Sequence, residues 1–193
     1  MALKELILKN RSYRRFDESI PISVKLLSEW VDLARLTASA KNMQPLRYIL
    51  SCEKNMNARI FETLAWAGYL TNWEGPVQGE RPTGYIVILR DNSITDHNYC
   101  DHGLATQSIM LGATEKEFGG CIIAAINRKK LASILNLSDN LEILLVLALG
   151  KPKETVILDV LEKHESHKYW RDKANNQHVP KRKLTDIILK HFG

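Results

Sequence analysis

The sequence has few of the features that would assign it to several common protein classes. It contains only three cysteines, Cys52, Cys100 and Cys121, and none lies in a CxxC or Cys/His spacing. Structural disulfides and a zinc site are therefore not expected. The longest apolar run, Ile143 to Leu149, is too short to cross a bilayer, and the N-terminal MALKELILKN pattern lacks a signal-peptide core. These absences favour a cytoplasmic protein without membrane association.

Two nucleotide-binding motifs are also missing. No P-loop occurs, and Gly119 and Gly120 stand in the sequence FGGC, which does not match the GxGxxG fingerprint. The residues before this pair have a helical pattern, whereas the dinucleotide fingerprint follows a strand. A Rossmann-type dinucleotide site is therefore excluded.

The composition is that of one globular domain over residues 1–193, with 45% hydrophobic and 25% charged residues. The formal net charge is +5, and its basic residues form two compact clusters, Arg11 to Arg15 and Lys181 to Lys183. Compact clusters suit a small anionic ligand better than a long phosphate backbone, so no nucleic-acid partner is expected. A basic module that binds nucleic acid or another anion without redox activity remains the alternative from a different class.

Hydrophobic periodicity predicts alternating helices and strands. Leu3–Lys9 is a first helix, Ser23 is an N-cap for a second, and Asn127 caps the helix RKKLASIL. A further helix is expected in NARIFETLAW, and strands are expected in RYILSC, TGYIVILR, CIIAAI and LEILLVLALG, the last stopping at Gly150. This order indicates an α+β or α/β fold.

Two segments indicate contacts outside a simple core. Asp101–Phe118 is apolar or small nearly all round, so it is a helix for a core or a subunit interface, ended by the glycine pair. The stretch HKYWRDKANNQHVPKR shows little periodicity and precedes a predicted last helix, KLTDIILKHF. It is either disordered or held by a surface, and its Tyr169 and Trp170 favour a surface that a partner subunit could supply.

Several polar and small residues could carry a ligand, each beside a purely structural alternative. Arg11, Ser12, Arg14 and Arg15 suit a phosphate or flavin carbonyls, or form a solvated turn. A second group combines the hydrogen-bond donors and acceptors that the ribityl chain and the flavin ring require: Ser39, Lys41, Asn42 and Gln44. The alternative is that these side chains only form the hydrogen bonds of a turn. Gly119 and Gly120 would let a planar ring approach the backbone, or cap a helix. Lys181 and Arg182 are predicted to begin the last helix, where cations are unfavourable unless a phosphate binds beside them. The alternative is that they belong to a disordered tail.

Metal and thiol chemistry are not expected. Asp101 and His102 lie near His97 and Cys100, but no second ligand pair has a recognisable metal spacing. Cys121 opens an apolar strand, where a cysteine is usually an inert part of the core.

Taken in order, five segments resemble the nitroreductase family, in particular its shorter members. They are RSYRRF, ASAKNMQPLR, a Gly/Ala-rich helix running into GGC, LALGKP and VPKRKL. The resemblance covers nearly the whole chain. It implies an α+β fold with a central, mostly antiparallel sheet flanked by helices. It also implies a homodimer built on the helix at Asp101–Phe118, with the C-terminal tail extending over the partner subunit.

The resemblance also implies FMN as cofactor and assigns residues to it. The FMN-binding residues it implies are Arg11, Ser12, Arg14, Arg15, Gly119, Gly120, Lys181 and Arg182, together with Ser39, Lys41, Asn42 and Gln44 facing the flavin of the other subunit. Asn10 stands where many relatives have arginine, and Leu46 where tryptophan is common.

The activity implied is that of an FMN-dependent oxidoreductase. NADH or NADPH would reduce the flavin, and a flat acceptor of nitroaromatic or quinone type would then oxidise it in a ping-pong cycle. No side chain is expected to be catalytic, because the flavin carries the chemistry. The loop with Tyr69, Trp73 and Glu74 would line the acceptor pocket. Alternatives are dehalogenation, enoyl reduction, flavin breakdown, or a degenerate relative that only stores flavin.

Overall fold

The computed structural model describes residues 2–97 and 99–193. The helices are α1 (Leu3–Lys9), α2 (Val24–Arg35), α3 (Lys54–Phe61), α4 (Asp101–Glu115), α5 (Arg128–Leu135) and α6 (Leu184–Ile187). The strands are β1 (Phe16–Asp17), β2 (Leu46–Ser51), β3 (Gly84–Asp91), β4 (Gly119–Ile123), β5 (Leu141–Pro152), β6 (Val156–Leu161), β7 (Trp170–Arg171) and β8 (Gln177–Arg182). Within the described residues no helix is long and apolar enough to span a membrane.

A five-stranded sheet forms the centre of the fold, in the order β1-β5-β3-β2 with β4 also paired to β5. All of these pairings are antiparallel. Strand β5 is the longest, and β1 and β4 pair with consecutive parts of it, which places Phe16 opposite Pro152 and Gly119 opposite Gly150. The predicted α+β fold with a mostly antiparallel central sheet flanked by helices is therefore confirmed.

Helices cover both faces of this sheet, which explains why β3 is apolar along nearly its whole length. Ile86 and Ile88 point to one face and pack in a cluster with Trp30 of α2 and Ile109 of α4. Val87 and its alternate neighbours pack on the other face against the helices α3 and α5. A strand buried on both faces has no polar alternation, because neither side meets water.

The short-range predictions about helix starts are confirmed. Helix α1 has the predicted bounds. The hydroxyl of Ser23 accepts a hydrogen bond from the Leu26 N–H at 3.2 Å, and the side chain of Asn127 accepts one from the Lys130 N–H at 3.1 Å. Such caps satisfy N–H groups that have no partner inside the helix.

Several predicted boundaries were wrong. Helix α4 ends at Glu115, because a turn with Glu117 at φ 60° closes it before the glycines are reached. Gly119 and Gly120 are therefore the first residues of β4 and do not cap the helix. Helix α3 ends at Phe61, before the predicted Trp66, and β5 continues past Gly150 to Pro152 because β1 provides a further partner.

The C-terminal region is more regular than predicted. Strands β6, β8 and β7 form a small sheet, with β6 and β8 parallel. Gln177 is fully buried, and its N–H donates to the Thr155 carbonyl at 2.8 Å, so this part of the tail packs on its own chain. Lys181 and Arg182 end β8, and the last helix is only Leu184–Ile187. The expectation that these cations open a helix was therefore wrong.

Candidate functional site

The basic segment Arg11–Arg15 lies beside the start of β4. Ser12 forms a parallel bridge with Gly120, and the Tyr13 N–H donates to the Gly120 carbonyl at 2.9 Å. The hydroxyl of Tyr13 donates back to the Lys9 carbonyl at 2.9 Å, which fixes the turn after α1. The structure thus brings together two motifs that are more than a hundred residues apart in the sequence.

Arg11 keeps an unused donor in this segment. Its Nη2 donates to the Ile7 carbonyl at 2.6 Å, while its Nε is buried and has no hydrogen-bond partner among the described residues. Burial lowers the pKa of this guanidinium because the charged form loses hydration. A buried donor without a partner is costly, so an acceptor on a ligand would be favoured here. The neighbouring Ser12 is exposed.

Arg14 is buried, with 8% of its surface exposed. Its Nη1 donates to the Ser12 carbonyl at 3.3 Å, and the guanidinium lies over the Tyr169 ring, 4.5 Å from the centroid. The Tyr169 ring contacts one face of the planar guanidinium by a cation–π interaction. The N–H groups at the edge of the guanidinium remain available for acceptors. Arg14 is therefore held in one orientation rather than left mobile on the surface.

Arg15 is engaged elsewhere. Its Nε and Nη2 donate to the two carboxylate oxygens of Glu80 at 2.6 and 2.5 Å. This hydrogen bonding raises the pKa of Arg15 and lowers that of Glu80. Because the fork is bidentate, the two arginines of the RR pair have different partners, and the donors of Arg15 are occupied within the chain.

Glu154 connects the basic segment to the C-terminal region. Its side chain is fully buried, and its Oε1 accepts the backbone N–H groups of Arg14 and, at 3.2 Å, of Arg15. Its Oε2 accepts from Arg171 Nη2 at 3.0 Å. Glu154, Arg171 and the role of Tyr169 were not predicted from the sequence, because nothing local distinguishes them from ordinary surface residues.

The aromatic loop predicted for the acceptor is covered by the same C-terminal region. The Tyr69 N–H donates to the Tyr169 hydroxyl at 3.3 Å, and the two rings lie 4.9 Å apart. Arg171 stacks on Trp73 at 4.3 Å from the ring centroid, while Glu74 is exposed. Tyr69 and Trp73 are therefore linked to the basic segment through the tail.

Gly119 and Gly120 are tightly enclosed by the protein itself. A Cβ on Gly119 would lie 2.5 Å from Tyr13 Cδ2, and one on Gly120 would lie 2.6 Å from the Ala148 carbonyl oxygen. The close approach of neighbouring protein atoms is therefore sufficient to explain why both residues are glycines.

The Ser39 loop is built around Asp101, a buried residue at the start of α4. The Ser39 hydroxyl donates to Asp101 Oδ2 at 2.5 Å, and the Ala40 N–H donates to Oδ1 at 3.0 Å. The Gln44 N–H in turn donates to the Ser39 oxygen at 2.9 Å. Asp101, for which metal binding was not expected, anchors this loop.

Three residues of this loop adopt positive φ angles, namely Lys41 at 52°, Asn42 at 54° and Gln44 at 51°. Such angles are unfavourable for residues with a side chain, so the loop conformation is held by its contacts. A cavity of about 170 Å³ lies beside it, lined by Ser39, Gln44 and Tyr48 among others. Burial, with a smaller contribution from the Asp101 charge, raises the pKa of Tyr48 to about 12.

The remaining predicted residues lie apart from these contacts. No hydrogen bond or ion pair within residues 2–97 and 99–193 joins the Ser39 loop to Arg11–Arg15. Lys181 and Arg182 are exposed. Over the same residues, no group of three or more His, Cys, Asp or Glu side chains could hold a metal. Cys121 is buried, and burial raises the pKa of its thiol.

The model of the nitroreductase family matches residues 7–151, which include the basic segment, the Ser39 loop and the glycine pair. The chain belongs to the nitroreductase family. Its fold agrees with a nitroreductase family protein from Streptococcus pneumoniae TIGR4, with a TM-score of 0.70 and 17% identity over 98% of this chain and 100% of that one. A comparison with curated proteins gives no match.

Two other nitroreductase structures have the same fold and an FMN connection in their names. An FMN-dependent nitroreductase from Clostridium difficile R20291 is 20% identical, with a TM-score of 0.64 over 79% of this chain and 88% of that one. A candidate nitroreductase from Exiguobacterium sibiricum 255-15, solved in complex with FMN, is 18% identical, with a TM-score of 0.66 over 80% and 90%. The family match indicates a flavin oxidoreductase, and these two structures agree with the chain in fold.

Proposed function

We propose that this protein is an FMN-dependent oxidoreductase that uses NADH or NADPH to reduce a flat acceptor of nitroaromatic or quinone type in a ping-pong cycle. The observation that carries the proposal is the convergence of three segments at one place. The basic segment lies against Gly120, and Tyr169 and Arg171 join it to Tyr69 and Trp73. Family membership supplies the cofactor class.

The residues present fit FMN in part. Arg11 Nε is a buried donor without a partner among the described residues, and the Ser12 side chain is exposed beside it. Arg14 is fixed over Tyr169 with guanidinium N–H groups to spare. Such charge-assisted donors suit phosphate and electron-rich carbonyl oxygens. Arg15 is the exception, since Glu80 already occupies its fork.

FMN, when bound, supplies the chemistry by accepting a hydride from the nicotinamide and passing electrons to the acceptor. The chain supplies orientation and charge. Arg14, held between Ser12 and Tyr169, presents a fixed positive charge that favours negative charge developing nearby. Tyr69 and Trp73 provide aromatic surface against which a flat acceptor can lie.

We further propose a cytoplasmic homodimer of one domain per chain, in which Ser39, Lys41, Asn42 and Gln44 face the flavin of the partner. The separation of this loop from Arg11–Arg15 within one chain supports that arrangement. Both ends of the chain carry exposed apolar side chains, including Leu3 at 66%, Leu189 at 91% and Phe192 at 91% exposure. Contact with a second copy of the chain would cover these side chains.

An absorption spectrum of the purified protein tests the cofactor, and anaerobic addition of NADH or NADPH tests the reductant. Bleaching of the flavin bands supports the proposal. A flavin-loaded protein that neither nucleotide reduces would leave only a flavin store, and a colourless protein that does not take up FMN would overturn the assignment.

Variants then test the residues. Arg14→Gln is expected to weaken FMN binding by about tenfold or more, as judged by quenching of flavin fluorescence, because a charge-assisted contact is lost. Arg59→Gln, an exposed arginine of α3, is the matched control. Equal FMN affinity in both variants would contradict the role of Arg14.

A further inference from the structure

A second and larger cavity is lined by none of the residues assigned to FMN. It measures about 620 Å³. Its lining comes from the segment after β1, from Cys52 after β2, from the first part of α3, from the segment before β3 and from Tyr85 of β3. Its chemically active lining residues are Glu18, Cys52, Lys54, Arg81 and Tyr85. The volume lies within the range of small-molecule sites, roughly 300–1,000 Å³.

Tyr85 provides an unused polar group in this cavity. The residue lines the cavity and is only 1% exposed, and its hydroxyl forms no hydrogen bond within residues 2–97 and 99–193. Burial raises the pKa of this hydroxyl, while the charge of Arg81 lowers it and that of Glu18 raises it to a smaller extent. All three residues line the same cavity. A neutral phenol that faces a cavity can donate one hydrogen bond to a ligand.

Two cations of the cavity are also uncommitted. Arg81 lies over the Phe61 ring at 4.4 Å from the centroid, and its buried Nε has no partner among the described residues. Lys54 is exposed at the first turn of α3, and neither Arg81 nor Lys54 forms an ion pair within the described part of the chain.

Glu18 is the acidic residue of the lining, and one oxygen of its carboxylate is occupied by the chain itself. Its Oε2 accepts the Gly79 N–H at 2.5 Å and the Arg81 N–H at 3.4 Å. Asn57 is likewise occupied, since its amide donates to the Thr83 carbonyl at 3.0 Å. Tyr85, Arg81 and Lys54 therefore have unused hydrogen-bond donors in the lining, and the two cations outnumber the single carboxylate of Glu18.

We propose that this cavity binds a small organic carboxylate with a flat apolar body. The carboxylate lies between Arg81, Lys54 and the hydroxyl of Tyr85, which together supply donors of both the cationic and the neutral kind. Pro21, Pro82 and Ala58 provide apolar surface for the rest of the molecule. The site shares no lining residue with those assigned to FMN, so it stands independently of the proposed redox function.

Calorimetric titration of the full-length protein with hydrocinnamate tests this site, and hydrocinnamamide is the matched neutral probe. We expect one hydrocinnamate bound per chain, and binding of the amide at least tenfold weaker because it lacks the charge. Arg81→Gln is expected to weaken hydrocinnamate binding by about tenfold, and Tyr85→Phe by about threefold or more. Arg59→Gln, on the outer side of α3, is expected to bind as the parent does.

Alkylation of Cys52 locates the probe, because this thiol lines the cavity whereas Cys100 is exposed elsewhere. Hydrocinnamate should slow modification of Cys52 by iodoacetamide, followed by peptide mass spectrometry, and leave Cys100 unchanged. Protection that disappears in Arg81→Gln and persists in Arg59→Gln supports the site. Absence of binding at millimolar probe, equal affinity for the amide, or binding without protection of Cys52, as expected for a probe lying on a bound flavin, would each overturn it.

Discussion

Glu154 Oε2 accepts a hydrogen bond from Arg171 Nη2 at 3.0 Å, and the Glu154 side chain is completely excluded from solvent. The other oxygen of this carboxylate holds the backbone N–H groups of Arg14 and Arg15. One buried charge therefore fixes both the segment proposed to bind FMN and the tail that covers the aromatic loop. The positions of Arg14 and Trp73 depend on the same residue.

Removal of this carboxylate is expected to be strongly destabilising. Glu154→Ala leaves the buried side of Arg171 and two backbone N–H groups without an acceptor, and breaking a buried ion pair typically costs about 3–5 kcal/mol. The free energy of unfolding from urea titration measures this effect. Glu29→Ala, at an exposed position of α2, is the control and should change stability by no more than about 0.5 kcal/mol. Equal stability of the two variants would contradict the role assigned to Glu154.

Asp101 is expected to hold the Ser39 loop in its unfavourable backbone conformation. Asp101→Ala removes the acceptor of Ser39 and Ala40, and hydrogen bonds to a charged group contribute about 1.5–3 kcal/mol each. Hydrogen exchange at the Ala40 amide should become faster in this variant. The control is Asp139→Ala, at an exposed position. An unchanged exchange rate at Ala40 in Asp101→Ala would show that the loop keeps its conformation without the Asp101 carboxylate.

Gly120 is expected to tolerate no side chain. In Gly120→Ala the new Cβ would lie 2.6 Å from the Ala148 carbonyl oxygen, which belongs to the backbone of β5 and cannot move without disturbing the sheet. Overpacking of this kind costs about 1–3 kcal/mol, measured as a loss in the free energy of unfolding. Gly68→Ala has open space around the added carbon and should be nearly neutral.

His178 gives the small C-terminal sheet a dependence on pH. Its ring stacks on Trp170 at 4.1 Å, with Nδ1 2.9 Å from Asp159 and Nε2 3.4 Å from Asp172. Burial alone would lower the pKa of His178, but the two carboxylates more than offset this and raise it above 6.5. The protonated ring therefore stabilises the fold below about pH 6.5, and this contribution is lost as the pH rises through the folded-state pKa.

The comparison of His178→Gln with the parent protein tests this sign. The difference in unfolding free energy should be largest in mildly acidic buffer and should shrink as the pH rises. His191→Gln, at an exposed position, is the matched control. A difference that grows with pH would show that the neutral ring is the form that the fold prefers.

The partners of the candidate-site residues could not be predicted from the sequence. Arg14 and Arg15 are adjacent and chemically identical, yet one lies over Tyr169 and the other is bound by Glu80. The partners that distinguish them are far away in the chain, and the contact from Arg15 to Glu80 spans 65 positions. No local pattern encodes such a choice, because it depends on which distant side chains the sheet brings near.

The features that the sequence determined by itself depend on local hydrogen bonds or on the periodic spacing of apolar residues. The bounds of α1, the caps at Ser23 and Asn127 and the buried strand β3 depend on hydrogen bonds within a turn and on the spacing of apolar residues. The ordered set of family motifs also lies in the sequence alone. Only the tertiary structure decided the roles of Glu154, Arg171 and Asp101, and it alone formed the cavity at Tyr85. Those roles depend on burial and on long-range contacts, which exist only once the chain has closed around them.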